Sequence, residues 1–361
     1  MSIDMTSALA QDNMRTSSPL IDYSESSIRI TPMPNGSWQD EMRSAVRNVG
    51  DLLARLRISP DQLQHKVDSA AHDFPLRVTK SFIDRMVPGD PTDPLLLQVL
   101  PLLDESVQNP MSPSAIDPVG DILAQRLPGL IHKYYGRVLV IATGACATHC
   151  RYCFRRHFDY LDSHAKHAYD SALLGYLASH TEVHELILSG GDPLTLSDER
   201  IEAWVQAASS IPTLTTLRIH TRLPVLLPSR VTDRLLETLS STRLRVVIVV
   251  HTNHANELDD EVLTALGRLD RARVTLLNQT VLLRGINDTA DCLVRLSARL
   301  WEARVLPYYI HTLDRVQGAA HFEVDESTAR SLHENMKRLL PGYLVPRFVH
   351  EDPGGASKRW L

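Results

Sequence analysis

The chain has 361 residues, 43% of them hydrophobic and 22% charged, with a net charge of -5; this suits one large α/β domain with an extension and excludes a largely disordered chain. The acidic balance argues against a nucleic-acid partner, which would call for a basic surplus or patch. No apolar run reaches the ~20 residues that span a bilayer, and the N-terminal stretch MSIDMTSALAQDNMRTSSPL lacks the basic start and apolar block of a secretory signal. Three of the four cysteines crowd together, which is no disulfide framework. A cytoplasmic protein without membrane contact is expected.

Residues 1–30, rich in Ser, Thr, Asp and Met without periodicity, predict a disordered tail. Residues 31–130 predict a helical N-terminal region: SWQDEMRSAVRNVGDLLARL, starting at Ser37, carries apolar positions at helical spacing. Ser59-Pro60 ahead of Asp61-Gln62-Leu63 reads as a helix start, and Pro91 and Pro94 punctuate turns. From residue 131 to 361 the texture changes. RVLVIAT (137–143), HELILS (184–189), TLRIHT (216–221), RVVIVV (245–250), RVTLLNQ (273–279) and ARVLPYYIH (303–311) alternate with helical patterns. Near-continuous apolar strands of this kind imply a parallel sheet covered on both faces. The fold class is therefore α/β, a partial (β/α)6 barrel, in which sites gather at the C-terminal ends of the strands.

Four segments fall at those ends. CATHCRYC, after the first strand, places Cys146, Cys150 and Cys153 at C-x3-C-x2-C. Three thiolates can hold three irons of a [4Fe–4S] cluster and leave the fourth open to a small chelating ligand; a structural zinc completed by His149 or His157 is the alternative. Cys292, in INDTADCLV, reads as a core residue on a helix. After the second strand SGGDP brings Ser189, Gly190, Gly191 and Asp192, whose glycines let backbone approach a ligand and expose N–H groups, although a plain tight turn uses the same residues. His251 and Gln279, ending the fourth and fifth strands, line the same mouth or serve as structural polar residues. Asp314 follows the sixth. Near the C-terminus, Lys358 comes after the small-residue loop PGGAS, where a desolvated amine makes a Schiff-base nucleophile; a basic tail is the plainer reading.

The cysteine spacing in the first loop of a partial barrel resembles the radical S-adenosylmethionine superfamily. CRYCFRRHF, SGGDPLTLSD, HTNHANE, LPYYIHTLD and PGG-x2-K, in this order, resemble the lysine 2,3-aminomutase family from about residue 130 to 358. VTKSFIDRM, GLIHKYY and DRVQGAAHF resemble more narrowly its branch that makes (R)-β-lysine for modifying elongation factor P. The resemblance implies an isomerase that carries out a radical 1,2-amino shift on L-lysine. It implies a [4Fe–4S] cluster on Cys146, Cys150 and Cys153, and S-adenosylmethionine beside Ser189 to Asp192, His251 and Gln279. Pyridoxal 5'-phosphate is implied on Lys358, with Arg137 near its phosphate. Arg155 matches the residue that grips the substrate carboxylate, for which a forked guanidinium is suited; Asp314 and Glu351 match acids that hold the substrate ammonium. A link to elongation factor P and its lysyl ligase follows from the same likeness.

Two departures stand out. Glu351 replaces the aspartate of the catabolic enzymes, and its extra methylene shifts an anchor by roughly 1 Å, a displacement that can cost ~100-fold in rate. The sequence also stops at Leu361, shortly after Lys358, which puts the oligomeric arrangement of the catabolic enzymes in doubt and leaves a homo-oligomer through the helical region an open expectation. Competing readings are an aminomutase acting on another amino acid, such as arginine, and a non-catalytic metal-cluster scaffold.

Overall fold

The computed structural model describes residues 37–68, 74–106, 114–160 and 170–361; the tail expected over residues 1–30 lies outside them. Ten strands form one sheet in sequence order: β1 (Gln125–Leu127), β2 (Leu130–Tyr134), β3 (Arg137–Thr143), β4 (Glu185–Gly190), β5 (Thr216–Thr221), β6 (Arg245–His251), β7 (Thr275–Val281), β8 (Leu306–His311), β9 (Arg347–His350) and β10 (Arg359–Trp360). All pairings from β3 to β9 are parallel, whereas β1, β2 and β10 join antiparallel at the two ends of the sheet. Helices Ser171–Ser179, Asp198–Ser210, Asp233–Ser240, Asp260–Arg271, Ala290–Glu302 and Glu326–Leu339 follow β3 to β8 in turn. Six strand–helix units and a further parallel strand thus make the partial (β/α)6 barrel expected from the sequence.

Local chemistry explains where these helices start. Each opens on a side-chain cap: Asp170, Ser197, Thr232, Asp259, Thr289 and Asp325 each accept a hydrogen bond from a backbone N–H of the first turn, a contact worth about 1 kcal/mol. Their apolar faces lie on the outside of the sheet, where Leu188, Ile219, Ile248 and Val250 meet Trp204, Leu235 and Leu266 in one continuous core.

Among its described residues the N-terminal region is helical only in pieces: Trp38–Arg43, Val49–Leu56, Lys80–Ile83 and Pro94–Leu97, with single 3-10 turns at Pro60–Gln62 and Leu103–Ser106. Prolines at 60, 75, 88, 91, 94 and 101 withhold N–H groups and prevent longer runs. In the amphipathic helix Val49–Leu56, Val49, Leu52, Leu53 and Leu56 are buried. They share a core with Phe82, Leu95, Leu96 and Val99 and with Leu226 of the barrel. Polar ties reinforce that docking, since the Thr79 hydroxyl donates to the Leu226 carbonyl at 2.7 Å and Arg85 pairs with Asp259 at 3.0 Å. The sheet begins earlier than expected, because β1 and β2 lie ahead of the first apolar run. Among the described residues no helix is long and apolar enough to cross a membrane.

Ile248, fully buried on the central strand β6, sets a scale for this packing. Ile248→Ala is expected to destabilise the protein by about 2–5 kcal/mol, read as a lower urea midpoint at unchanged slope.

Candidate active site

A cavity of about 800 Å³ occupies the barrel interior, and every site residue singled out in the sequence lines it. That volume is within the usual range for small-molecule sites, roughly 300–1,000 Å³. At one wall stand Cys146, Cys150 and Cys153, on the loop that leaves β3. Burial pushes the Cys153 thiol up to about 11, with Cys150 adding to the push, and raises Cys146 as well. Left alone these would be neutral thiols; a metal centre would deprotonate them outright. His149 meets the Pro75 carbonyl through Nδ1 at 2.8 Å, and His157 meets the Gln317 carbonyl through Nε2 at 3.1 Å. Among the described residues no three His, Cys, Asp or Glu side chains are grouped to hold a single metal ion. Cys292 is buried on its helix, outside the cavity lining.

The glycine pair does something other than expected. A Cβ on Gly190 would lie 2.3 Å from the Thr143 carbonyl oxygen, and one on Gly191 2.3 Å from that of Ala145. Gly190 also holds φ +123°, in the region that favours glycine. The N–H of Gly191 donates to Thr143 at 2.7 Å and that of Asp192 to Ala145 at 2.8 Å. Both N–H groups are thus spent on the first turn of the cysteine loop, which corrects the expectation of donors exposed to a ligand. The Asp192 carboxylate is likewise committed: it accepts from the Thr221 hydroxyl at 2.7 Å and from the N–H groups of Arg222 at 2.7 Å, Leu194 at 3.0 Å and Leu223 at 3.1 Å. SGGDP clamps the loops after β3, β4 and β5 together, and that clamp fixes where the thiols stand.

Behind the cysteine loop lies a buried network that the sequence did not single out. Arg222 donates to the Cys150 sulfur at 2.7 Å and to Gln98 at 2.6 Å, and pairs with Glu257 at 2.9 Å. Glu257, fully buried, also accepts from Gln98 and from the N–H groups of Asn253 and His254. Beside it, His251 and Gln279 are register partners on β6 and β7. Burial, helped by the Arg222 charge, lowers His251 to about 4, so its imidazole is neutral, and its Nε2 is buried without a partner. Unpartnered Nε2 atoms recur at His220 and His311 on the same cavity.

From the cysteine loop along the cavity, opposite charges alternate. Arg155 pairs with Asp121 through Nε and Nη2, both at 2.8 Å, and Nη1 donates to the Ser189 hydroxyl at 3.0 Å. Asp121 meets Lys133 of β2 at 2.6 Å, Lys133 meets Glu351 at 2.9 Å, and Glu351 pairs with Lys358. The side chains of Asp121, Lys133 and Glu351 are 4%, 13% and 15% exposed, so their charges interact with little screening. Backbone register explains the last contact. Arg359 faces His350 and Trp360 faces Val349, and extending that ladder sets Lys358 opposite Glu351. Arg137, opening β3, lies over the Tyr134 ring at 4.7 Å and lines the same end of the cavity as Arg218, which pairs with Glu185 at 2.5 Å.

The two acids differ in state. Against the upward push of burial, Lys358 and Lys133 hold the Glu351 carboxyl well below the usual range. Burial raises Asp314 to about 7, with the negative charge of Glu351 adding to it and Lys358 opposing. Asp314 is thus protonated in mildly acidic solution and loses its proton as pH rises through about 7. An infrared carboxyl band that disappears over that interval in the wild type and is missing from Asp314→Asn is the expected signature.

No family model matches the chain. It is 43% identical over 321 residues to L-lysine 2,3-aminomutase of Escherichia coli (strain K12), covering 89% of this chain and 93% of that one. The same enzyme of Haemophilus influenzae is 41% identical over 322 residues, 89% of this chain and 94% of its own. That of Clostridium subterminale is 33% identical over 323 residues, 89% of this chain and 76% of its own. Among solved structures, Streptococcus suis SuiB bound to S-adenosylmethionine aligns with 61% of this chain and 51% of its own, at 16% identity and TM-score 0.46. At 41–43% identity over 93–94% of the length of the Escherichia coli and Haemophilus influenzae enzymes, the chain belongs to the L-lysine 2,3-aminomutase family and is an isomerase.

Proposed function

We propose that this isomerase converts L-lysine into (R)-β-lysine by a radical 1,2-amino shift, and that the product serves, through a lysyl ligase, to modify elongation factor P. One observation carries the chemistry: the cysteine triplet and Lys358, far apart in sequence, line a single cavity. Cys146, Cys150 and Cys153 would hold a [4Fe–4S] cluster with S-adenosylmethionine, and Lys358 would hold pyridoxal 5'-phosphate. When bound, these groups would supply a carbon-centred radical and an unsaturated carbon that stays bonded to the nitrogen and stabilises the radical while the nitrogen moves between two substrate carbons.

The chain itself binds and aligns. Arg155 has five N–H groups; the contacts to Asp121 and Ser189 use three and leave one on each terminal nitrogen. Those two are left for a substrate carboxylate to accept, and Asp121 prevents the guanidinium from turning. At the far end, ionised Asp314 receives the side-chain ammonium. Arg137 is positioned for the cofactor phosphate, and neutral His251 with Gln279 for the adenosyl side. Holding both substrate ends fixes the reacting carbon between the two cofactors, where a misplacement of about 1 Å costs roughly 100-fold. A glutamate side chain would bring like charge to Asp314, which disfavours that substrate.

Anaerobically reconstituted protein given lysine, reductant and S-adenosylmethionine is expected to release β-lysine, identified as (R) by chiral chromatography. Release of β-arginine from arginine but no β-lysine from lysine would move the assignment to that substrate. No product from either, with cluster and pyridoxal phosphate both bound, would reject it.

A further inference from the structure

The two acids at the lysine end are not equivalent. Both Glu351 oxygens are engaged, one by Lys133 and the other by Lys358. Lys133 is itself saturated: its three hydrogens are matched by the Val119 carbonyl at 2.7 Å, Asp121 at 2.6 Å and Glu351 at 2.9 Å. Glu351 is therefore pinned in place and already faces two protein cations. A substrate ammonium on it would be a third cation around one carboxylate. Asp314, on the same cavity, has no hydrogen bond or ion pair to its carboxyl among the described residues and is open to receive one.

We propose that Glu351 is the docking acid for Lys358, receiving its ammonium once substrate has displaced it from the cofactor, and that Asp314 alone receives the substrate's side-chain ammonium. The inference rests on the reading of Lys358 as the cofactor lysine. Displacement breaks the bond between the cofactor's carbonyl carbon and the Lys358 nitrogen and forms one to the substrate's α-nitrogen. Two protons pass from the substrate ammonium to Lys358, so charge is conserved. Lys358 leaves as a cation, and the carboxylate it meets across the hairpin is already oriented by Lys133. Glu351 is then a positioning residue acting through Lys358. Its departure from aspartate lengthens the arm that meets Lys358 and leaves the substrate's anchor unchanged.

The test titrates the pyridoxal-loaded protein with L-lysine and with L-norleucine, which lacks the side-chain ammonium, and follows cofactor absorbance without turnover. Glu351→Gln is expected to weaken both amino acids by a common factor of about thirtyfold or more, leaving their ratio unchanged. Asp314→Asn is expected to weaken lysine about thirtyfold or more and norleucine not at all. Should Glu351→Gln fail to fold, Glu351→Asp gives the same comparison, with a smaller loss common to both ligands. A loss confined to lysine in the Glu351 variants, or no loss at all, would overturn the proposal. A wild type whose absorbance ignores both amino acids would instead overturn the cofactor reading on which it rests.

Discussion

The barrel is open, and charge spans the opening. The sheet runs in order from β1 to β10 without returning to its start, so no backbone ladder joins its ends. Arg155, Asp121, Lys133, Glu351 and Lys358 cross that gap as alternating cations and anions. Removing one partner from such a buried pair typically costs about 3–5 kcal/mol, because the other charge is left unpaired. The final hairpin, and Lys358 with it, is held where it is by this series as well as by its strand pairing. The position of Lys358 and the bridging of the barrel's open side are consequences of one set of contacts.

A second set does comparable work around the cysteine loop. The glycine segment brings backbone within a distance no side chain would permit, and Asp192 gathers four donors from neighbouring loops. Arg222, neutralised by Glu257, brings positive charge to the Cys150 sulfur. Gln98 ties this network to the N-terminal region, so that region is part of the support of the cysteine loop and not merely a cover. The cavity thus has two rigid ends, and the chemistry proposed for it depends on the distance they maintain.

Much of the barrel was legible because parallel strands buried on both faces must be apolar. The runs at 137–143 and 216–221 coincide with β3 and β5 residue for residue. β1, β2 and β10 escaped notice since short antiparallel edges with mixed polarity, such as LIHKY, carry no period to detect. In residues 31–130 helical spacing was present, but prolines cut it into pieces of four to eight residues among the described ones. At the site, spacing and small-residue loops marked the cysteines and Lys358. Asp121 and Lys133 left no such signal: each is a solitary charge in sequence, and only the folded barrel brings Arg155 to Asp121 and Glu351 to Lys133. The glycines were recognised, but sequence cannot tell that the Gly191 N–H meets the Thr143 carbonyl at the start of the cysteine loop and is not left for a ligand.

Two amines stand beside Glu351, and the central claim concerns which of them carries the cofactor. Borohydride reduction of the pyridoxal-loaded protein, followed by peptide mapping, tests this most directly. The expected result is a single pyridoxyl label on Lys358, in the peptide that joins β9 to β10. A label on Lys133, or none on either lysine, would contradict it.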